Sequence, residues 1–95
     1  MKQPAVYIVT NKKNGVLYTG VTSNIIKRIY EHKYSTKKGF TAKYNCKLLV
    51  FFEIHETMES AIHKEKRIKA GTRDKKVQLI EEFNPNWNDL YDDIV

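Results

Sequence analysis

The pattern of apolar and polar residues begins with two segments that are typical of β-strands. Residues 5–10 and 16–21 are rich in β-branched and aromatic types. Between them, the pair Asn14-Gly15 favours the positive backbone angles of a hairpin turn. The sequence therefore predicts a two-stranded antiparallel hairpin at the start of the chain.

The hairpin also predicts where two tyrosines lie. Side chains alternate between the faces of a strand, so Tyr7 and Tyr18 share one face only in certain registers. Pairing Thr10 with Gly15 would place Tyr7 directly opposite Tyr18, with Gly15 at positive φ in a bulge. We expect this register, in which the two phenol groups belong to one site.

A helix with two polar residues of interest is predicted after the hairpin. Thr22-Ser23-Asn24 offers capping oxygens before residues 25–32. Four residues form the predicted apolar face of this helix: Ile25, Ile26, Ile29 and Tyr30. Arg28 and His32 are four residues apart, so they stack together along one edge of that face, where a helix borders a cleft.

The middle of the chain predicts a polar connection followed by a strand. Residues 33–46 contain Lys, Thr and Gly and are typical of a loop or a short irregular helix. Residues 47–54 form a near-continuous apolar run, which favours a buried central strand.

Two further helices and a packed tail complete the pattern. Thr57 caps a predicted helix that ends near Ala70, and Thr72 caps another that ends near Phe83. The expected core positions of the last helix and tail are Val77, Ile80, Phe83, Trp87, Leu90, Tyr91 and Ile94. The order β-β-α-β-α-α predicts one α+β domain over residues 1–95, with a small antiparallel sheet of about three strands covered by helices.

Charge is distributed unevenly along the chain, which carries a net charge of +6. Residues 1–76 hold all 17 Lys and Arg against six acids, whereas residues 77–95 hold five acids and no base. A basic body favours a polyanionic partner met by one face, although a solvated basic surface has the same composition. The expected nucleic-acid contacts are Lys27, Lys43, Tyr44, Lys66 and Lys69.

Several classes of protein are excluded by what the sequence lacks. No apolar run approaches the ~18 residues of a membrane span, and the first residues lack the apolar region of a signal peptide. Cys46 is the only cysteine, which predicts a reducing, cytoplasmic location with no disulfide. Cysteine-rich zinc sites, glycine-rich phosphate loops and serine-hydrolase elbows have no matching motif.

Glu65 is out of place on an apolar helix face. The residues that form this face are Met58, Ala61, Ile62 and Ile68. A carboxylate buried without a partner costs several kcal/mol, so it must be protonated, paired or bound to a metal. Two interpretations remain: a structural ion pair with Arg28 or a tyrosine hydroxyl, or a metal ligand. Spacing alone favours the ion pair.

These residues together resemble a known family. Ala5-Val6-Tyr7 and Tyr18-Thr19-Gly20 resemble the two halves of the GIY-YIG nuclease signature, with Ala-Val in place of Gly-Ile and Thr in place of Ile. Arg28, His32 and Glu65 then match the arginine, histidine and metal-binding glutamate of that family. Lys69 and residues 84–90 resemble its stand-alone, single-domain branch, and Asn84 is the preferred candidate for the asparagine of the family.

The resemblance implies hydrolysis of a phosphodiester, with DNA as the expected substrate. It implies that Glu65 binds one Mg²⁺ or Mn²⁺ ion, which neutralises the leaving oxygen. It also implies that Arg28 stabilises the charge of the phosphoryl group. Tyr7 is the expected base for the attacking water, Tyr18 orients that water, and His32 is a relay or an alternative base. Related enzymes for intron homing, restriction and excision repair carry extra targeting domains.

Without such domains, specificity is expected from loops, a protein partner or DNA shape. Two other function classes are compatible with the same sequence. A non-catalytic nucleic-acid-binding module would need the basic face but neither Glu65 nor the tyrosine pair. A cytoplasmic protein-interaction domain would show no salt-dependent binding to DNA.

Overall fold

The computed structural model describes residues 3–34 and 39–95, and within them three strands and five helices follow one another. They are β1 (Ala5–Thr10), β2 (Leu17–Thr22), α1 (Ile25–Tyr34), α2 (Phe40–Lys43), β3 (Leu48–Ile54), α3 (Met58–Ala70), α4 (Arg73–Phe83) and α5 (Tyr91–Ile94). The predicted α+β fold and its order are confirmed, with α2 and α5 as short additions. Of the predicted connection at 33–46, residues 35–38 lie outside the described part.

The three strands form one antiparallel sheet in the order β2-β1-β3, so β1 is the central strand. All six residues of β1 are buried because helices cover both faces of the sheet. Tyr7 and Val9 face a core shared with α1, and Val6 and Ile8 face a core shared with α3 and α4. The prediction that β3 is central was wrong. A near-continuous apolar run indicates only that both faces of a strand are buried. An edge strand that lies between two layers of helices meets this condition as well as a central strand does.

The hairpin is confirmed, but its predicted register is wrong by two residues. Tyr7 pairs with Gly20 and Val9 pairs with Tyr18. A shift of two residues keeps every side chain on its face, so Tyr7 and Tyr18 still share a face as diagonal neighbours.

The turn explains the shift, because side chains close it instead of a tight glycine turn. The hydroxyl of Thr10 donates to the carbonyl of Val16 at 2.7 Å, and the Val16 amide donates to Asn11 Oδ1 at 2.9 Å. Asn14, with φ 59°, supplies the left-handed residue that was predicted at Gly15. These hydrogen bonds stabilise a connection between β1 and β2 that is longer than the one predicted from the Asn14-Gly15 pair.

Several helix predictions are confirmed, and others need correction. Thr57 and Thr72 cap α3 and α4 by accepting from the amides three residues on. On α1 only Ile25 and Ile29 are buried, whereas Ile26 is 46% exposed, because one row of the helix touches the sheet. The other predicted apolar-face or core residues that the structure exposes are Tyr30, Ile62 and Phe83.

Phe83 lies at the margin of the core, where its ring meets the edges of Phe51 and Phe52 with centroids 5.3 and 5.5 Å apart. Trp87 is buried, and Cys46 is buried in the core as a small apolar residue. Burial raises the pKa of the Cys46 thiol, which disfavours the reactive thiolate. No helix in the described ranges is long and apolar enough to cross a membrane.

The tail after α4 closes the outer edge of β3. The amide of Leu90 donates to the carbonyl of Leu49 at 2.8 Å, and Asn84 Nδ2 donates to the carbonyl of Val50 at 3.2 Å. Asn84 also donates to the carbonyl of Asn88 at 2.8 Å and accepts from the Asn88 amide at 3.1 Å. Backbone groups of β3 that would otherwise face water or another strand are therefore satisfied within the chain.

Replacing Asn84 with alanine is expected to lower the free energy of unfolding by about 2–4 kcal/mol, because three hydrogen bonds are lost at a buried position. Urea denaturation measures this change. Asn86→Ala, an exposed asparagine in the same turn, is the matched control and should cost under about 0.5 kcal/mol. Equal stability of the two variants would contradict the bracing role of Asn84.

Candidate active site

Tyr7 lies at the centre of the candidate site. Its side chain projects from the middle of β1 and is fully buried, with the ring lying over Gly20 on β2. The hydroxyl is 2.8 Å from Nε2 of His32 on α1. The strand and the helix thus bring together a phenol and an imidazole that are 25 residues apart in sequence.

Tyr18 completes a cluster of three rings. Its centroid is 6.5 Å from that of Tyr7 and 5.9 Å from that of His32, and the Tyr7 and His32 centroids are 5.5 Å apart. These separations fit tilted aromatic packing. The shared site of the two tyrosines is therefore present, although through a diagonal pair of residues.

A second hydrogen bond orients the imidazole of His32. Its Nδ1 is 3.1 Å from the hydroxyl of Thr41 on α2. A hydroxyl both donates and accepts, so Thr41 can match either neutral tautomer of the ring. Sequence reasoning missed Thr41, since it lies in a segment with no helical or strand periodicity.

The surroundings of His32 keep its ring neutral. Burial lowers the pKa of His32 below its ordinary value of 6.5, and the positive charge of Arg28 lowers it further. The carboxylate of Glu31 opposes this shift but does not reverse it. At neutral pH, His32 is therefore able to accept a proton from a neighbour.

Burial has the opposite effect on the phenol of Tyr7, because it disfavours the charged form of each group. It raises the pKa of Tyr7 to about 12, while the charge of Arg28 pulls in the other direction. Coulombic interactions with Tyr18 and Glu65 add to the increase. In this state the phenol is a hydrogen-bonding group and a poor base.

Arg28 lies one turn before His32 on the same side of α1, as its spacing predicted. Its Nε is 3.5 Å from a carboxylate oxygen of Glu31, and 43% of the side chain is exposed. An exposed ion pair of this kind contributes little to stability. The guanidinium is therefore free to exchange its partner for another anion.

Glu65 approaches the ring cluster from α3. Its side chain is only 14% exposed, which confirms that this carboxylate lies against the apolar body of the protein. Its partner is Lys69 at 3.1 Å, one turn later on the same helix, and not Arg28 or a tyrosine. The Lys69 ammonium also lies 5.9 Å from the centroid of Tyr18, so it connects the carboxylate to the rings.

The residues around Glu65 fit a metal site that the substrate completes. Within residues 3–34 and 39–95 no three His, Cys, Asp or Glu residues lie close enough together to hold a metal by themselves. Mg²⁺ commonly binds through one or two carboxylates, with water and phosphate oxygens filling its other positions. A single carboxylate beside an open basic surface meets that requirement.

The predicted nucleic-acid contacts divide into two groups. Lys27 and Lys66 are exposed on α1 and α3. Lys43 and Tyr44 lie on and just after α2, where the Lys43 ammonium is 5.4 Å from the Tyr44 ring centroid.

Phe40, which is not among the predicted site residues, joins Tyr44 to the site. Its ring centroid is 4.7 Å from that of Tyr44 and 5.9 Å from that of Tyr18. The three rings form a continuous aromatic path from α2 to the candidate site. Asn84, the candidate for the asparagine of the family, makes no hydrogen bond to these rings in the described part of the chain. Its side chain donates hydrogen bonds to the backbone of β3 and of the tail.

Known proteins similar to this chain agree with its fold. The GIY-YIG catalytic domain family matches residues 3–78. A UPF0213 protein of Haloquadratum walsbyi is 39% identical over 77 residues, covering 81% of this chain and 85% of that relative. A UPF0213 protein of Staphylococcus saprophyticus is 37% identical over 82 residues, covering 86% and 99%. The solution NMR structure of a UPF0213 protein from Bacillus halodurans aligns with a TM-score of 0.50 at 30% identity, covering 83% of each chain.

Proposed function

Because the chain belongs to the GIY-YIG catalytic-domain family, we propose that it is a metal-dependent endonuclease that hydrolyses phosphodiester bonds, with DNA as its expected substrate. The observation that carries this proposal is the 2.8 Å hydrogen bond between Tyr7 and His32, inside a cluster bordered by Arg28 and Glu65. A purely structural tyrosine would not need a neutral imidazole, a guanidinium and a carboxylate around it.

Tyr7 and His32 act together as the base. A phenol with a pKa of about 12 cannot hold a useful fraction of phenolate at neutral pH. The neutral His32 accepts the proton of Tyr7 through their hydrogen bond while Tyr7 accepts a proton from the attacking water. Thr41 holds the imidazole in place during this transfer. Tyr18, beside both rings, orients the water.

Arg28 binds the phosphoryl group that is attacked. Its exposed guanidinium exchanges the weak contact with Glu31 for two phosphoryl oxygens, which the planar guanidinium matches in a bidentate way. The charge that builds on these oxygens during attack is stabilised at the point where it develops.

Glu65 would hold the divalent cation, in place of its present contact with Lys69. When bound at Glu65, Mg²⁺ or Mn²⁺ supplies positive charge at the oxygen that leaves. Lys69 occupies the carboxylate in the present structure. Released from Glu65, its ammonium remains beside Tyr18 and faces the substrate backbone, which accounts for a lysine at this position.

A non-catalytic nucleic-acid-binding module is the second candidate function. The Lys69 ion pair favours it, because this pair satisfies Glu65 without any metal. The module would use the basic surface alone, and the contact between Tyr7 and His32 would have no role in it.

An assay of purified protein on supercoiled plasmid DNA separates these two functions. We expect nicking with Mg²⁺ or Mn²⁺ and none with EDTA, since the proposed ion supplies the positive charge at the leaving oxygen. Tyr7→Phe should nick at least about 10²-fold more slowly, the usual contribution of a positioned base. Binding of DNA without nicking in either metal would select the binding module.

The same assay has an expected pH dependence. His32 must be neutral to accept a proton, and its pKa lies below 6.5, so the rate should be level near neutral pH and fall in acid. Glu31→Gln removes the charge that raises this pKa, so the fall should begin at lower pH.

The unfolded chain binds the His32 proton more readily than the folded chain. Stability therefore also declines as the pH drops below 6.5, and rates must be compared per folded molecule. NMR titration of the His32 ring provides the control. A shift of the rate profile toward higher pH in Glu31→Gln would contradict the assigned role of His32.

A further inference from the structure

A basic groove lies between α3 and α4, on a different side of α3 from Glu65. Its volume is about 450 Å³. Four cationic side chains line it, Lys64, Arg67, Lys75 and Lys76, above an apolar floor that includes Ile68 and Leu79. We name it the α3–α4 groove.

Helical geometry separates this groove from the candidate active site. Residues four apart stack on one side of a helix, so Glu65 and Lys69 share the side that faces the ring cluster. Lys64 and Arg67 are three residues apart and point roughly 100° or more away from Glu65 around the axis, whereas Ile68, three residues after Glu65, lies between these two sides. The two sites therefore lie on different sides of one helix, with Ile68 between them.

The charges in the α3–α4 groove are poorly compensated by the protein itself. Every charged residue that lines it is basic. Lys64 has a carboxylate partner, Glu53, at 3.7 Å. For Arg67, Lys75 and Lys76 the described part of the chain records no carboxylate within 4.0 Å. Like charges gathered in this way repel one another and concentrate anions.

The end of a helix adds to this potential. α4 begins at Arg73, after the capping residue Thr72, and Gly71 and Lys75 border the groove at that end. The positive end of the α4 dipole thus lies near the four cations. The apolar floor keeps water away from one side of the groove, which strengthens the attraction for an anion.

We propose that the α3–α4 groove binds a stretch of phosphate backbone of the nucleic acid at a distance from the bond that is cut. This inference rests on the nucleic-acid-binding part of the proposed function but not on cleavage. A helix with its side chains is about 10–12 Å across. About three nucleotides of B-DNA span that distance along the axis. The two points of contact are therefore separated by up to about three nucleotides, with part of α3 between them.

Such a contact fixes where the substrate lies without taking part in the chemistry. Phosphate contacts position a protein on nucleic acid and carry no sequence information by themselves. The groove would lower the dissociation constant for many sequences alike and would leave the rate at saturating substrate nearly unchanged.

Salt-dependent binding tests the proposal without any cleavage. A fluorescein-labelled DNA oligonucleotide is titrated with the parent chain in EDTA at several salt concentrations, and anisotropy is measured. Removing two phosphate contacts in Arg67→Gln/Lys75→Gln should reduce the slope of log K against log salt by about two. At ~0.1 M salt the affinity should fall on the order of 10-fold or more.

Lys47→Gln is the matched control, because Lys47 is exposed on the segment between α2 and β3 and does not line the groove. Its slope should remain close to that of the parent. A double variant with the slope of the parent would overturn the groove proposal and leave the nuclease proposal standing. A parent chain that binds no DNA even at low salt would overturn both.

Free anions are tested separately by a thermal shift with inorganic phosphate. A shift with phosphate as large as that with the oligonucleotide, and lost in Arg67→Gln/Lys75→Gln, would identify a small-anion site and overturn the backbone proposal. A shift only with the oligonucleotide supports it. Loss of nicking in Glu65→Ala with an unchanged salt slope would show that the groove acts independently of cleavage.

Discussion

Replacing Glu65 with alanine is expected to reduce metal-dependent nicking by about 10³-fold while the protein stays folded. A bound divalent ion contributes several kcal/mol of charge stabilisation in the transition state, and each 1.4 kcal/mol corresponds to a factor of ten in rate. Glu65 is a little-exposed carboxylate beside the ring cluster, and the proposed ion depends on it.

The effect on stability should be small by comparison. The ion pair with Lys69 links residues one turn apart, and the Lys69 side chain is half exposed. Pairs of this kind contribute a few tenths of a kcal/mol. DNA binding should be equal or tighter, because a negative charge is removed from a basic surface.

Glu59→Ala is the control for this experiment, since Glu59 is an exposed carboxylate in the first turn of the same helix. It should nick at the rate of the parent. Glu65→Gln tests the charge alone, because glutamine keeps the shape of the side chain. A Glu65→Ala protein that nicks as fast as the parent would show that the activity comes from another site or from a contaminant.

Replacing Gly20 with alanine is expected to lower both the nicking rate and the stability. A Cβ at this position would lie 2.4 Å from the hydroxyl oxygen of Tyr7 and 2.5 Å from the ring carbon that carries it. Neither distance is physically tolerable, so the ring of Tyr7 must move. Tyr7 is fully buried, and any movement also breaks its 2.8 Å hydrogen bond to His32.

The size of the effect follows from these two changes. Overpacking a filled core costs about 1–3 kcal/mol of stability. Displacing a positioned base costs about 10²–10⁴-fold in rate. Thermal unfolding and nicking per folded molecule measure the two separately. Tyr7→Phe should lower the nicking rate but retain most of the free energy of unfolding, because the phenylalanine ring occupies the same volume in the core.

Gly71→Ala is the matched glycine control. Its Cβ would meet the carbonyl of Ile68 at 3.3 Å, a contact that a small adjustment relieves. Gly71 has φ −78°, which alanine adopts readily. Nicking by Gly20→Ala within a few-fold of the parent would mean that the position of the Tyr7 hydroxyl does not matter for the chemistry.

The sequence predicted the type and order of the main elements because each has a local cause. Thr57 and Thr72 are capping residues followed by apolar residues at helical spacing, and both helices begin where predicted. Glu65 was singled out because a single charge on an apolar helix face has few explanations. Its low exposure of 14% is a direct result of that periodicity.

The sequence did not predict the hairpin register, for a physical reason. Alternation along a strand has a period of two, so it specifies which face a residue is on but not its partner. The hydrogen bonds made by the hydroxyl of Thr10 and the side-chain oxygen of Asn11 determine which of the remaining registers forms. The position of β3 was missed for a related reason, because apolar composition does not reveal which edge of a strand is paired.

The hydrogen-bond and ion-pair partners of the site residues were also not predicted from the sequence. Lys69 was predicted as a nucleic-acid contact, and the predicted partner of Glu65 was Arg28 or a tyrosine hydroxyl. The observed partner is Lys69, one turn later on the same helix. Thr41 reaches His32 from a short helix that has no apolar periodicity of its own. Contacts between elements of this kind follow from tertiary packing.

The tail that covers β3 also limits pairing of this strand edge with another copy of the protein. An uncovered strand edge offers carbonyl and amide groups that another molecule can extend into a shared sheet, a common route to aggregation. Here the carbonyls of Leu49 and Val50 are already taken by Leu90 and Asn84 of the same chain. Many copies crowded along one polyanion would therefore find no unpaired carbonyl at these two positions on which to assemble.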